Sequence, residues 1–130
     1  MAHTVFPERT SHPELTILVV DDNKEFTDII ASFLIKQELR VDTANDGLSG
    51  LQMYLANPMK YSAVLLDIQM PVLDGYEVAK CIRTAETDRR IPIIALSGSV
   101  DENNITDFDL CLRKPFQFEK LLPAILEVLK

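Results

Sequence analysis

Four stretches each set a polar group directly after an apolar run. LTILVV is followed by Asp21 and Asp22, AVLL by Asp67, PIIAL by Ser97-Gly98-Ser99, and LCLR by Lys114-Pro115. Brought together, these are three carboxylates, a hydroxyl and an ammonium. Three carboxylates at close quarters repel one another strongly. A hard divalent cation relieves that repulsion, and Mg²⁺ characteristically combines one or two carboxylates with waters and phosphate oxygens. The chemistry such a set fits is phosphoryl transfer. The cation neutralises charge on the phosphoryl group, the lysine holds a second of its oxygens and the hydroxyl a third. One carboxylate is then the nucleophile. Asp67 suits that part, because a strand end fixes its oxygens and leaves them accessible.

Taken singly, each residue has an ordinary explanation. The Asp pair could be helix N-terminal charge, Asp67 a turn former, Ser97 a helix cap and Lys114 a solvated cation. Asp74 reads as a cap only. The joint placement of four residue types is what points to a site, and it depends on the elements that bring them together.

Those elements alternate. Residues 15–20, 39–44, 63–67, 92–96 and 110–113 read as strands by length and branching. Asn23 caps a helix bearing Phe26, Ile29, Ile30, Phe33 and Leu34 on one face. Leu48, Leu51 and Leu55 give a second helix that ends at Asn57-Pro58. Asp74 and Glu77 form a capping box for a third, which buries Val78, Ala79 and Ile82. Residues 117–129 form the last helix, with a kink expected near its start from Pro123. Alternation of this kind predicts an α/β fold: a doubly wound, five-stranded parallel sheet of order 2-1-3-4-5, the flavodoxin-like arrangement, with helices on both faces. In that order the four polar strand ends are neighbours, on the edge where open α/β sheets carry their sites.

The chain has 130 residues, 47% of them hydrophobic, which suits one domain with a real core. Residues 1–14 read as a flexible N-terminal arm, with His3 and His12 solvated, and 15–130 as the domain. Net charge is −7, with no basic face of the kind a nucleic-acid binder carries. Cys81 and Cys111 fit no metal spacing and no disulfide framework, and read as reduced thiols of a cytoplasmic protein. No apolar run reaches the length of a membrane span, and the start lacks the apolar stretch of a signal peptide.

VVDDN, LLDIQMPVLDG, IPIIALSG and RKPF together resemble the response-regulator receiver domain of two-component signalling, over nearly the whole chain from Leu15. The resemblance implies that Asp67 accepts a phosphoryl group from a phosphohistidine on a histidine kinase or histidine phosphotransfer protein. It implies Mg²⁺ held by Asp22, Asp67 and the backbone carbonyl of Gln69, with Asp21 assisting through water. Ser97 stands at the family's Ser/Thr position and Lys114 at its phosphate-binding lysine, and the Lys114-Pro115 bond is commonly cis in relatives. The side chains of Gln69 and Ser99 hold positions that tune dephosphorylation. A receiver domain signals through protein contacts and is not otherwise an enzyme. Its self-phosphorylation and self-dephosphorylation are its only reactions.

Two departures bear on output. Where the family has Tyr or Phe three residues before the lysine, this chain has Cys111, too small to swing inward as the ring does. Seventeen positions separate Ser97 from Lys114, about one and a half helical turns fewer than in relatives. The shortfall falls on the helix between the fourth and fifth strands. The remaining VDENNITDFD is poor helix material, and Asp107 replaces the family's Gly. A short turn, a distorted stub or a mobile loop is expected there. The face made by that segment, the fifth strand and the last helix would be an atypical output surface. The chain reads either as a free-standing receiver or as one cut from a larger protein such as a hybrid kinase.

Three other readings share parts of this pattern. A flavin-binding flavodoxin-like module would want a phosphate loop where Asp21 and Asp22 stand. A Mg²⁺-dependent aspartyl phosphohydrolase would want an acid where Gln69 stands. A pseudo-receiver would keep the fold and act only as an interaction module.

Overall fold

The structure, a computed structural model, describes residues 14–130. The arm assigned to residues 1–14 lies almost wholly outside that range, as do His3 and His12. Five strands are β1 (Thr16–Val20), β2 (Arg40–Ala44), β3 (Ala63–Asp67), β4 (Ile93–Ser97) and β5 (Leu110–Arg113). They pair in parallel in the order β2-β1-β3-β4-β5. The helices are α1 (Lys24–Lys36), α2 (Gly47–Ala56), α3 (Gly75–Ala85) and α4 (Leu121–Val128). The doubly wound expectation holds, and each expected strand is present to within a residue of its bounds.

Why the sheet is buried on both faces follows from period-2 alternation in apolar strands. Leu18, Val20, Val64, Leu66, Ile93 and Ala95 face one layer, with Leu51, Tyr54, Val78, Ala79 and Ile82 from α2 and α3. Ile17, Val19, Ala63, Leu65, Ile94 and Leu96 face the other, with Ile30 and Leu34 of α1 and Leu121 and Ile125 of α4. Each Val, Leu or Ile side chain so removed from water contributes about 1.5–3 kcal/mol.

The helix starts are those read from sequence. The Asn23 side chain accepts from Phe26 N at 3.1 Å. Asp74 and Glu77 complete the capping box, with bonds of 2.9 Å each way. Two helix faces are corrected. In α1 the buried positions are Thr27, Ile30 and Leu34, while Ile29 points outward. In α2 the buried face is Gly47, Gly50, Leu51 and Tyr54, leaving Leu48 and Leu55 exposed. Beside Leu51, it is Gly47 and Gly50 that let α2 approach its neighbours: a Cβ on Gly50 would sit 2.7 Å from Val20. The last helix is divided. Phe118–Lys120 is a 3₁₀ turn, and Pro123 falls in the first turn of α4, where a backbone N–H has no intrahelical partner to lose.

Between β4 and β5 the chain forms one 3₁₀ turn, Glu102–Asn104, and no α-helix. Asp101 caps that turn, accepting from Asn103 N at 3.0 Å and Asn104 Nδ2 at 2.8 Å. Arg83, whose side chain is only 10% exposed, binds this short connection to α3. Its guanidinium donates to the Asp107 carbonyl at 2.7 and 3.0 Å, and to the Ile91 carbonyl at 2.8 Å. It also pairs with Glu86 at 2.6 Å and Asp109 at 2.9 Å. Asp107 has no positive φ, so this path of the chain does not require the glycine it replaces.

Candidate functional site

The register sets the site. Val20 lies opposite Leu66, Asp67 opposite Leu96, and Ser97 opposite Arg113. Asp21 and Asp22 leave β1, Asp67 ends β3, Ser97 ends β4 and Lys114 leaves β5, all on one edge. The five residues named from the sequence therefore meet.

The three acids each offer a carboxylate oxygen within 4.8 Å of the others. Asp21 is fully buried, Asp67 nearly so, and Asp22 is exposed. Lys114 Nζ lies 2.8 Å from Asp21 Oδ2 and 3.6 Å from Asp67 Oδ1. One ammonium thus serves two buried carboxylates and favours Asp21. Burial first, and then the charge of Asp21, push the Asp67 carboxyl up to about 6, against the pull of Lys114 and of the Gln69 N–H. That N–H reaches Asp67 Oδ1 at 3.3 Å. Asp67 is therefore largely ionised at neutral pH, as a nucleophile must be, yet incompletely compensated.

Asp67 is held where it is by close backbone contact. Gly75 N donates to the Ile68 carbonyl at 2.8 Å. A Cβ on Gly75 would lie 2.4 Å from the Asp67 carbonyl oxygen and 2.6 Å from Ile68 Cα. Only glycine lets α3 start against the end of β3. The Lys114-Pro115 bond is cis, and Lys114 N donates to the Ser97 carbonyl at 2.8 Å.

Ser97 is buried, but its hydroxyl is engaged with its own loop. It donates to the Ser99 carbonyl at 2.5 Å and accepts from Ser99 N at 3.2 Å. Gln69 Nε2 donates to Ser99 Oγ at 3.1 Å, linking the two loops beside Asp67. Cys111 packs against the layer that holds Phe108 and Tyr76, and burial pushes its thiol up.

Several contributors were not read from sequence. Asn45 donates to the Asp21 carbonyl at 2.9 Å and to Thr27 Oγ1 at 3.0 Å, fixing the end of β1. Phe26 has the helical spacing of a core residue of α1, yet its ring lies under Lys114, with Nζ 4.4 Å from the centroid. Tyr76 accepts from Asp101 N at 2.6 Å and meets Phe108 edge-on at 5.9 Å. None of these has a local motif. Their partners are 18 or more positions away in the chain.

The donor set suits a hard cation. Clustered carboxylate oxygens with no nitrogen or sulfur donor among them are what Mg²⁺ takes.

Comparison with known proteins agrees with the fold. A family model described as the response regulator receiver domain matches residues 17–126. The chain is 34% identical over 119 residues to a CpxR homolog transcriptional regulatory protein of Haemophilus influenzae, covering 88% of this chain and 50% of that one. It is 34% identical over 116 residues to the response regulator ArlR of Staphylococcus epidermidis, covering 88% and 52%. The chain thus spans about half the length of these relatives. Among solved structures it is similar to the receiver domain of a Pseudomonas aeruginosa sensor histidine kinase, whose active-site cleft coordinates a magnesium ion. The TM-score is 0.79 and the identity 32%, over 88% of this chain and 97% of that one. A Clostridium thermocellum response regulator receiver domain gives a TM-score of 0.80 at 27% identity, over 88% and 94%. On sequence and topology, the chain belongs to the response regulator receiver domain family.

Proposed function

We propose that this receiver is a phosphoacceptor in a two-component phosphorelay. Asp67 takes the phosphoryl group of a phosphohistidine presented by a histidine kinase or a histidine phosphotransfer protein. An Asp67 carboxylate oxygen attacks phosphorus, the P–N bond breaks, and its electron pair returns to the imidazole. The product is an acyl phosphate on Asp67. The observation that carries this reading is a buried, ionised and incompletely compensated Asp67, with Lys114 Nζ at 3.6 Å and Asp21 and Asp22 beside it.

The residues fit Mg²⁺. Asp21, Asp22 and Asp67, with the backbone carbonyl of Gln69, would hold it, Asp21 through water. When bound, it supplies positive charge to the phosphoryl oxygens. Lys114 leaves its pairing with Asp21 to bind one of those oxygens. The Ser97 hydroxyl gives up the Ser99 carbonyl to donate to another. The Gln69 and Ser99 side chains flank the acyl phosphate and regulate the approach of water to it.

The signal passes by protein contacts in the cytoplasm, through a face reshaped by the short connection between β4 and β5. Two observations support that part. Residues 98–109 carry only a 3₁₀ turn, and Cys111 offers no ring to move. Among the described residues no helix is long and apolar enough to cross a membrane.

The test is intact mass after incubation with Mg²⁺ and acetyl phosphate. The wild type is expected to gain one phosphoryl group and Asp67→Asn none. No gain in the wild type, with acetyl phosphate and then with a phosphorylated histidine phosphotransfer protein, would favour the pseudo-receiver.

A further inference from the structure

Lys114 carries its ammonium on a flexible four-carbon stem, and its side chain is 29% exposed. A strongly hydrated ammonium so placed tends to swing into water unless several groups hold it. Three do: Asp21 at 2.8 Å, Asp67 at 3.6 Å, and the ring of Phe26, with its centroid 4.4 Å from Nζ. Both carboxylates belong to the acidic cluster, so a cation held there competes for them. Among the described residues, the ring is the one partner outside the cluster.

That ring is itself firmly set. Phe26 rises from the first turn of α1. It meets Phe116 edge-on at 6.1 Å and Phe118 at 6.3 Å. Phe116 and Phe118 meet at 5.6 Å, and Phe118 meets Phe33 at 6.0 Å. Phe116 and Phe118 follow Lys114 by two and four positions, so the segment that carries the ammonium also braces the ring beneath it. An aliphatic side chain at position 26 would fill the same space on α1. It would not offer the negative face that attracts a cation.

We propose that Phe26 is a positioning residue for phosphoryl transfer. The face of its ring holds the Lys114 ammonium at the mouth of the site when the carboxylates are otherwise engaged. The role in transfer rests on the reading of Asp67 as phosphoacceptor, whereas the ring–ammonium contact does not.

Both parts are tested by placing mono-, di- and trifluorophenylalanine at position 26 alone. These rings keep nearly the same shape while their negative faces weaken in steps. The first readout is the proton NMR shift of the Lys114 ε-methylene in metal-free protein, which the ring should move upfield in the wild type and which Phe26→Leu should lose. The second is the rate of phosphoryl uptake from acetyl phosphate. The rate should fall stepwise, to about 3- to 10-fold below wild type for the trifluoro ring. Phe26→Tyr should keep the rate, and melting temperature should stay nearly constant across the fluorinated series. A rate indifferent to fluorination in a protein that does take up phosphate overturns the role in transfer. If the wild type takes up none from acetyl phosphate and none from a phosphorylated histidine phosphotransfer protein, the reading of Asp67 fails and the role in transfer falls with it. An unshifted Lys114 resonance in the wild type overturns the contact itself.

Discussion

Replacing Asp67 with Asn removes a charge that the folded protein accommodates poorly. The Asp67 carboxyl rises from an ordinary value of 3.8 to about 6. A shift of that size is equivalent to about 1–3 kcal/mol, allowing for partial screening. Because the folded value is the higher one, the folded state binds more protons than the unfolded state between these limits. Stability from this group is therefore full below pH 3.8 and falls as pH rises through about 6. The Asn amide oxygen can still accept from Gln69 N, and Lys114 keeps its 2.8 Å pairing with Asp21. Metal-free Asp67→Asn should thus be more stable than wild type at pH 7.5 by about 1–3 kcal/mol. For 130 residues that is about 4 °C of melting temperature per kcal/mol. The gain should fall to about a third of that at pH 4.5, where wild-type Asp67 is protonated in the folded state but still mostly ionised in the unfolded chain. The assay is urea unfolding at both pH values without divalent metal. A destabilised variant, or a gain that is the same at both pH values, would refute the reasoning.

Three further outcomes follow from the same geometry. Mg²⁺ at ten times its dissociation constant should stabilise the wild type by about 1.4 kcal/mol by linkage, and Asp22→Asn should lose most of that effect, as read by thermal melts. Gly75→Ala forces a Cβ against backbone atoms 2.4 and 2.6 Å away. It should cost about 1–3 kcal/mol in urea unfolding and slow phosphate uptake, because the displaced backbone belongs to Asp67 and Ile68. Arg83→Met leaves Glu86 and Asp109 without their shared guanidinium and should cost about 3–5 kcal/mol. A loss below 1 kcal/mol would mean that Arg83 does not brace the short connection before β5.

The sheet was legible because its strands are short, branched and separated by capped helices. Val19 and Leu65 can only be core, and the Asp74–Glu77 box announces its helix. The acidic cluster was legible because parallel topology fixes which strand ends are neighbours. Less was visible where packing overrides pattern. Leu48 and Leu55 read as an apolar stripe, yet α2 meets the sheet through Gly50, and an absent side chain leaves no periodic signal. Ile29 matched the helical period of α1 but lies past the edge of the buried face. The connection after β4 was legible as poor helix material. Its brace was not, since Arg83 finds Asp107 and Asp109 across 24 and 26 positions. Phe26 illustrates the same limit. Its apolar type predicted burial, and nothing local in the sequence places its ring beneath an ammonium that follows β5.

The central question is whether Asp67 itself carries the phosphoryl group. After incubation with Mg²⁺ and acetyl phosphate, borohydride reduces an aspartyl phosphate to homoserine, and tryptic digestion releases residues 61–80, which contain both Asp67 and Asp74. Fragmentation of that peptide should place homoserine at position 67 and leave Asp74 unchanged. Homoserine at position 74, or at Asp21 or Asp22 in their own peptide, would contradict the assignment of the nucleophile. So would its absence from a protein that intact mass shows to be phosphorylated.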